Sequence, residues 1–208
     1  MASQLLATSE VLTQVSGQAR PEDAILRELR EETASLPTAT RVSAEEGRLL
    51  EQLVELTRAR TVVEVGTSTG YRTLCIARSL PRHGLLITCD TTARWPALGR
   101  PHWRRAGVAD RIDLRIAPAA AVLDALFAEY GPGTFDLVFL AAGHPGSAAL
   151  YDAALTLLSP DGILVIAGTP PAAGPTTSEF DRIVRTDPRV ETSLLPTGDG
   201  LTLVRKAC

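Results

Sequence analysis

Lysine is almost absent. Of 21 basic residues only Lys206 is a lysine, the rest are arginines, and the formal net charge is −3. No arginine cluster forms a stripe, so nucleic acid is not expected as a partner. Cysteine is scarce as well: Cys75, Cys89 and Cys208 form no CxxC pair. An odd count without metal spacing reads as reduced, structural thiols in a reducing compartment. The longest aliphatic runs are strand-length, far short of a bilayer span, so no membrane partner is expected. Residues 1–7 lack a basic region and a long apolar core, so no secretory leader is read. These absences point to a soluble, cytoplasmic protein.

What is present is a chain of 208 residues, 45% apolar, enough for one globular domain without disulfides or structural metal. No internal repeat is visible. Residues 8–15 are weakly helical. Residues 21–32 read as a helix, with Pro21 at the first helical position, Glu22 and Asp23 in the first turn, and Ile25, Leu26 and Leu29 as an apolar stripe. Glu22, Asp23, Glu28, Glu31 and Glu32 read as its solvated face. Ser43 and Glu46 have capping-box spacing before a helix that buries Leu49, Leu50, Leu53, Val54 and Leu56.

Then strands and helices alternate. Strands are read at 61–65, 85–89, 112–116, 135–140 and 162–167, with helices at 71–80, 95–106, 119–130 and 148–158 between them. Such alternation implies a parallel sheet covered on both faces, and FDLVFL and ILVIA are continuously apolar, as doubly buried strands require. A Pro/Ala/Gly-rich loop, TPPAAGPTT, precedes a helix near 178–185. It reads equally as a lid or a connector. Segments 190–195 and 201–205 flank PTGDG and read as a closing hairpin.

The strand TVVEV runs into GTSTG and then a helix. Gly66 and Gly70 let backbone approach a ligand, and the helix N-terminus offers unpaired N–H groups. Glu64 ends the strand, where a carboxylate without a partner is costly to bury, so a cationic ligand group suits it. Asp90 ends the next strand, 20 residues beyond Gly70, where a carboxylate accepts hydrogen bonds from a ribose diol. A nicotinamide-dinucleotide fingerprint needs G-x-G-x-x-G. Ser68 and Tyr71 break it; a nucleoside cofactor without a pyrophosphate does not need the middle glycine, and a purely structural turn stays open beside it.

VVEVGTSTGYRTLCIARSLPRHGLLITCD, HWRRAGVADRIDLRIAPA, FDLVFL and DPRVETSLLPTGDGLTLVRK together resemble the caffeoyl-CoA O-methyltransferase-like family, over about residues 40–205 and in the same order. The resemblance implies an α/β, Rossmann-like class I methyltransferase fold. Its sheet would have seven mostly parallel strands, with a C-terminal antiparallel hairpin and N-terminal helices. Residues 1–208 would form a single domain, with 1–40 a helical cap and homodimer segment and 41–208 the Rossmann-like core. The implied cofactor is S-adenosylmethionine, with S-adenosylhomocysteine as product. Val42 and Ser43 would line it. Glu64, Gly66, Ser68 and Tyr71 would hold its amino-acid end and Asp90 the ribose, Ala119 would lie near the adenine, and Ala141, at the end of the fourth strand, would also line the cofactor. Arg72 stands where the family has Ser; it would pair with the cofactor carboxylate or be a solvated helix residue.

The departures from the family fall on its divalent-metal ligands. Where the family reads FIDADK this chain reads FLAAGH, so its aspartates become Ala141 and Gly143 and its lysine becomes His144. Where it reads IDN this chain reads IAG, giving Ala167 and Gly168. Alanine and glycine supply no side-chain oxygen to magnesium, so no metal is expected. Three activities stay open: a metal-independent methyltransferase on a small-molecule acceptor, such as a hydroxyl of a natural-product intermediate; a cofactor-dependent enzyme that moves no methyl group, such as a cyclase; or a methyltransferase-like binding protein. In the first, His144 is the candidate general base, against a solvated loop residue. His83, His102, Trp95 and Trp103 read as structural.

Overall fold

The computed structural model describes residues 22–34, 36, 42–141, 147–168, 179–195 and 200–207. Helices α1 (Ala24–Thr33) and α2 (Ala44–Thr57) precede β1 (Thr61–Val65), α3 (Tyr71–Ser79), β2 (Leu85–Asp90) and α4 (Pro96–Arg105). A short 3-10 turn (Ala109–Arg111) leads into β3 (Ile112–Ile116), α5 (Ala119–Tyr130), β4 (Phe135–Ala141) and α6 (Ser147–Leu157). Then come β5 (Leu158–Ala167), α7 (Glu179–Thr186), β6 (Val190–Leu195) and β7 (Leu201–Lys206).

The seven strands form one sheet in the order β3-β2-β1-β4-β5-β7-β6. Strands β1 to β5 are parallel and β7 runs antiparallel to both β5 and β6. Because side chains alternate across a strand, the sheet feeds two cores. Val62, Leu86, Leu137, Phe139 and Val165 pack under α1 to α4 on one face. Val63, Ile87, Val138, Leu164 and Ile166 pack under α5 and α6 on the other. From β1 the chain winds outward through β2 to β3, whereas β4 and β5 lie on its other side. The crevice at the C-terminal ends of β1 and β4 is therefore the topological switch point, where open α/β sheets bind ligands. Among the described residues no helix is long and apolar enough to cross a membrane.

Of the acidic face of the first helix, Glu31 and Glu32 are exposed as expected, whereas Glu22, Asp23 and Glu28 reach neighbouring helices. The helix begins later than Pro21 suggests, because Asp23 is the N-cap: its Oδ1 accepts from Ile25 N at 2.8 Å and Leu26 N at 3.2 Å. Its other oxygen pairs with Arg78 on α3. Glu28 accepts from Arg105 on α4 at 2.6 Å, and the Tyr71 hydroxyl donates to Glu22. These carboxylates tie α1 to α3 and α4 while Leu26 and Leu29 enter the core.

Helix α4 starts one residue later than read, at Pro96, which suits a first helical turn. Strand β5 starts four residues earlier, at Leu158, with a register irregularity opposite Phe135 and Leu137 that absorbs the Pro-Asp-Gly stretch. The hairpin falls where expected, as β6 and β7. Both described thiols, Cys75 and Cys89, are buried and free, and burial pushes each thiol pKa upward, which leaves them unreactive.

Candidate active site

The turn after β1 is shaped by backbone that an ordinary residue resists. Gly66 has φ +98° and Gly70 +81°, and Ser68 adopts φ +50° as well. A Cβ on Gly66 would lie 2.9 Å from the Cβ of Ala141, so the turn lies directly against the end of β4. Gly66 N and Thr67 N both donate to Cys89 O, at 2.9 and 3.0 Å, which fastens the turn to β2. Trp103 underlies it: its indole N–H donates to Gly70 O at 3.0 Å. The expectation that Trp103 is structural holds, and His102 is buried beside it.

Glu64 is completely buried. Its Oε2 accepts from Thr73 Oγ1 at 2.6 Å and Thr88 Oγ1 at 2.7 Å. Since the Thr88 proton goes to Glu64, the 2.6 Å contact between Thr67 and Thr88 has Thr67 as donor. Glu64 Oε1 has no partner among the described residues. Burial raises the Glu64 pKa to about 7, against the lowering effect of the two hydroxyls and of Arg72. A buried carboxylate with one oxygen satisfied and one open suits an ammonium group beside it, and the α-amino group of an amino-acid cofactor is such a group.

Asp90 closes the other side of the turn. Its Oδ2 accepts from Ser68 N at 2.9 Å and its Oδ1 from Thr92 N at 3.1 Å. Asp90 O accepts from Ala117 N at 3.0 Å, which brings Ala119 and the start of α5 to the same edge. The sheet thus gathers Glu64, Gly66, Ser68, Asp90, Ala119 and Ala141 at its C-terminal edge. Val42 and Ser43 stand at the start of α2, where Ser43 Oγ accepts from Glu46 N at 3.1 Å. Asp90→Ala is expected to weaken cofactor binding by about 1.5–3 kcal/mol, the scale of a hydrogen bond to a charged group. Calorimetric titration with S-adenosylhomocysteine measures it, and an unchanged affinity would remove Asp90 from the site.

Two residues are placed differently from either expectation. Tyr71 opens α3, but its side chain is buried and its hydroxyl is engaged by Glu22. Arg72 is neither solvated nor an open cation. It is 4% exposed, its Nε donates to Glu46 Oε1 at 2.6 Å, and its guanidinium lies 5.0 Å from the Phe139 ring centre. His144 and Gly143 lie outside the described residues. Ala141 and Ala167 are register partners on β4 and β5, so two alanines stand side by side where the resemblance places metal ligands. Sequence reading missed Thr73, Thr88 and Glu46. Thr88 was within reach, since it precedes Asp90 by two residues and so shares its face of β2.

Comparison with known proteins agrees with this geometry. The sequence model of the O-methyltransferase family matches residues 14–207. Catechol O-methyltransferase domain-containing protein 1 of Mus musculus is 38% identical over 198 residues, covering 89% of this chain and 75% of that protein. Caffeoyl-CoA O-methyltransferase 1 of Eucalyptus globulus is 33% identical, covering 87% of this chain and 81% of its own. An O-methyltransferase of Streptomyces achromogenes involved in tomaymycin synthesis, solved in complex with S-adenosylmethionine, superposes with a TM-score of 0.79 at 27% identity, covering 100% of both chains. This chain belongs to the caffeoyl-CoA O-methyltransferase-like family of class I, S-adenosylmethionine-dependent O-methyltransferases.

Proposed function

We propose that this chain methylates a hydroxyl group on a small-molecule natural-product intermediate, and does so without a divalent cation. The observation that supports this is a contrast within one site. The ammonium-receiving carboxylate Glu64 keeps an open oxygen, while Ala141 and Ala167 stand side by side at the ends of β4 and β5. Those two residues and Gly168 offer no side-chain oxygen to a hard cation, whereas Glu64, Asp90 and the 66–70 turn fit the nucleoside cofactor. When bound, S-adenosylmethionine supplies an activated methyl group. The protein supplies placement: Glu64 anchors one end, Asp90 the ribose, and the acceptor is held in line. Effective molarities of about 10⁵ M or more are available from placement alone.

His144, on the segment after β4, is the proposed base for the acceptor hydroxyl, an effect of roughly 10²–10⁴-fold. The chain acts in the cytoplasm as a homodimer formed through its N-terminal helical segment. Calorimetry with S-adenosylmethionine in excess EDTA is the test, followed by methyl transfer to candidate phenols with wild-type protein and His144→Ala. Tight binding in EDTA, transfer by the wild type and a drop of roughly 10²-fold or more in the variant are expected. Binding restored only by Mg²⁺ would overturn the metal-free reading, and full turnover by the variant would overturn the base. A second reading follows from the same contrast. If the cofactor orders a pocket without reacting, as in a cyclase, the product is an isomer of unchanged mass. A binding protein would convert nothing.

A further inference from the structure

The family's reaction gives Arg72 no task, yet it is one of the most buried charges among the described residues. It sits on the first turn of α3, immediately after the cofactor turn. Its guanidinium lies 5.0 Å from the ring centre of Phe139, and Phe139 is the β4 register partner of Glu64. Phe139 and Glu64 therefore project from the same face of the sheet, side by side. Arg72 is thus laid over the strand next to Glu64 and held there by Glu46 of α2, with both members of that pair 4% exposed.

The surroundings of Glu64 can be taken element by element. From α3 come the Thr73 hydroxyl, the Arg72 charge and the Cys75 thiol, which burial keeps neutral. From β2 come the Thr88 hydroxyl and the Asp90 carboxylate, while the Cys89 thiol, also kept neutral by burial, lies on the opposite face of the sheet. The turn adds Thr67, hydrogen-bonded through Thr88, and β4 adds the uncharged Phe139. Of the charges acting on Glu64, Asp90 disfavours its ionisation and Arg72 favours it. Glu46, Arg72's partner, lies on the α2 side of the guanidinium.

We propose that Arg72, clamped by Glu46 and Phe139, is a positioning residue for cofactor capture: its charge opposes the burial that disfavours a Glu64 carboxylate, so that Glu64 ionises more readily to receive the cofactor's ammonium group. The proposal rests on the reading that Glu64 receives that group. Its consequence is that capture is linked to loss of one proton from Glu64. The Glu64 O–H proton leaves to solvent, the ammonium keeps its protons, and no other bond changes.

The experiment uses the intact chain in EDTA and S-adenosylhomocysteine as probe, titrated calorimetrically from pH 5.5 to 8.5. Three proteins are compared: wild type, Arg72→Lys and the double variant Glu46→Leu/Arg72→Met. The double variant removes both buried charges together, so neither is left without its partner, and thermal melting verifies its fold. Wild-type affinity is expected to level off at high pH and to fall about tenfold per pH unit below the Glu64 titration, with about one proton released per binding event. In the double variant the same curve moves to higher pH by about one unit, which is about tenfold weaker binding at neutral pH. Arg72→Lys keeps the charge and stays near the wild-type curve. Superimposable curves for wild type and double variant would overturn the proposal. So would a loss of affinity equal at every pH, which marks a merely structural pair, or an Arg72→Lys curve displaced as far as the double variant's. No binding by the wild type at any pH would instead overturn the reading of Glu64 as the cofactor's anchor.

Discussion

Glu64→Gln should make the ligand-free protein more stable at pH 8 and at the same time remove most of its hold on the cofactor. The carboxylate is fully buried, and its pKa rises from 4.5 to about 7 on folding. A group whose folded pKa lies above its unfolded one favours the fold only while protonated. Its contribution is complete below about pH 4.5 and is lost as pH rises toward about 7. That rise corresponds to about 3 kcal/mol of stability surrendered above neutrality. Glutamine keeps an oxygen for Thr73 and Thr88 but places an amide N–H₂ where Oε1 has no partner, so part of the gain is offset. A net gain of about 1–3 kcal/mol at pH 8 is expected, shrinking to near zero at about pH 4.5. Urea denaturation of both proteins at the two pH values measures it. Equal destabilisation at both would mean that Glu64 is not strained in the absence of ligand. Conversely, if the stabilised variant still bound S-adenosylhomocysteine with full affinity, the ammonium would have to sit elsewhere. A site that is costly until its ligand arrives is the stability–function trade expected of a binding centre.

The sheet and the cofactor turn were legible because their signals are local. Strand and helix periods alternate through residues 61–167, and Glu64, Gly66, Gly70 and Asp90 fall at the ends of strands that the pattern already defines. What local pattern could not carry is who meets whom. The carboxylates of α1 look like a solvated face because their partners are distant in sequence: Asp23 and Arg78 are 55 residues apart, Glu28 and Arg105 77, Glu22 and Tyr71 49. Arg72 was misplaced for the same reason. Its partner Glu46 lies 26 residues back, in a helix whose Ser43-Glu46 spacing pointed to an ordinary capping box. Ser43 does cap Glu46 N, but the Glu46 carboxylate goes to α3. A buried ion pair leaves no period in the sequence, only two charged residues that each look suited to solvent. The acceptor side is a different matter. Gly143, His144 and the TPPAAGPTT loop fall outside the described residues, so their roles rest on resemblance and on the proposed experiments.

The turn itself should prove as sensitive as the carboxylate it presents. Gly70→Ala is expected to destabilise the protein by about 2–5 kcal/mol, from two separable causes. The first is backbone: φ at Gly70 is +81°, a left-handed conformation that costs an L-residue about 1–2 kcal/mol. The second is space: a Cβ there would stand 2.5 Å from Cζ2 of Trp103. Trp103 cannot easily retreat, because it is 3% exposed and its indole N–H is bonded to the carbonyl of Gly70 itself. Overpacking a fixed ring of this kind costs about 1–3 kcal/mol. Gly99 packs the same ring from α4, where a Cβ would meet Thr69 O at 2.7 Å, so the turn and α4 approach as closely as glycine allows on both sides. A double-mutant cycle with Trp103→Leu separates the terms. In the Trp103→Leu background the ring is gone, and Gly70→Ala should cost only its backbone share of about 1–2 kcal/mol. Urea midpoints for the four proteins supply the cycle. If Gly70→Ala costs the same in both backgrounds, the tryptophan is not what enforces glycine here. If it costs under about 1 kcal/mol in either, the left-handed turn is not held in solution. With the expected coupling, Trp103 is the floor that fixes the Gly66–Gly70 backbone, and the turn proposed to hold the cofactor's amino-acid end is set by packing as much as by hydrogen bonds.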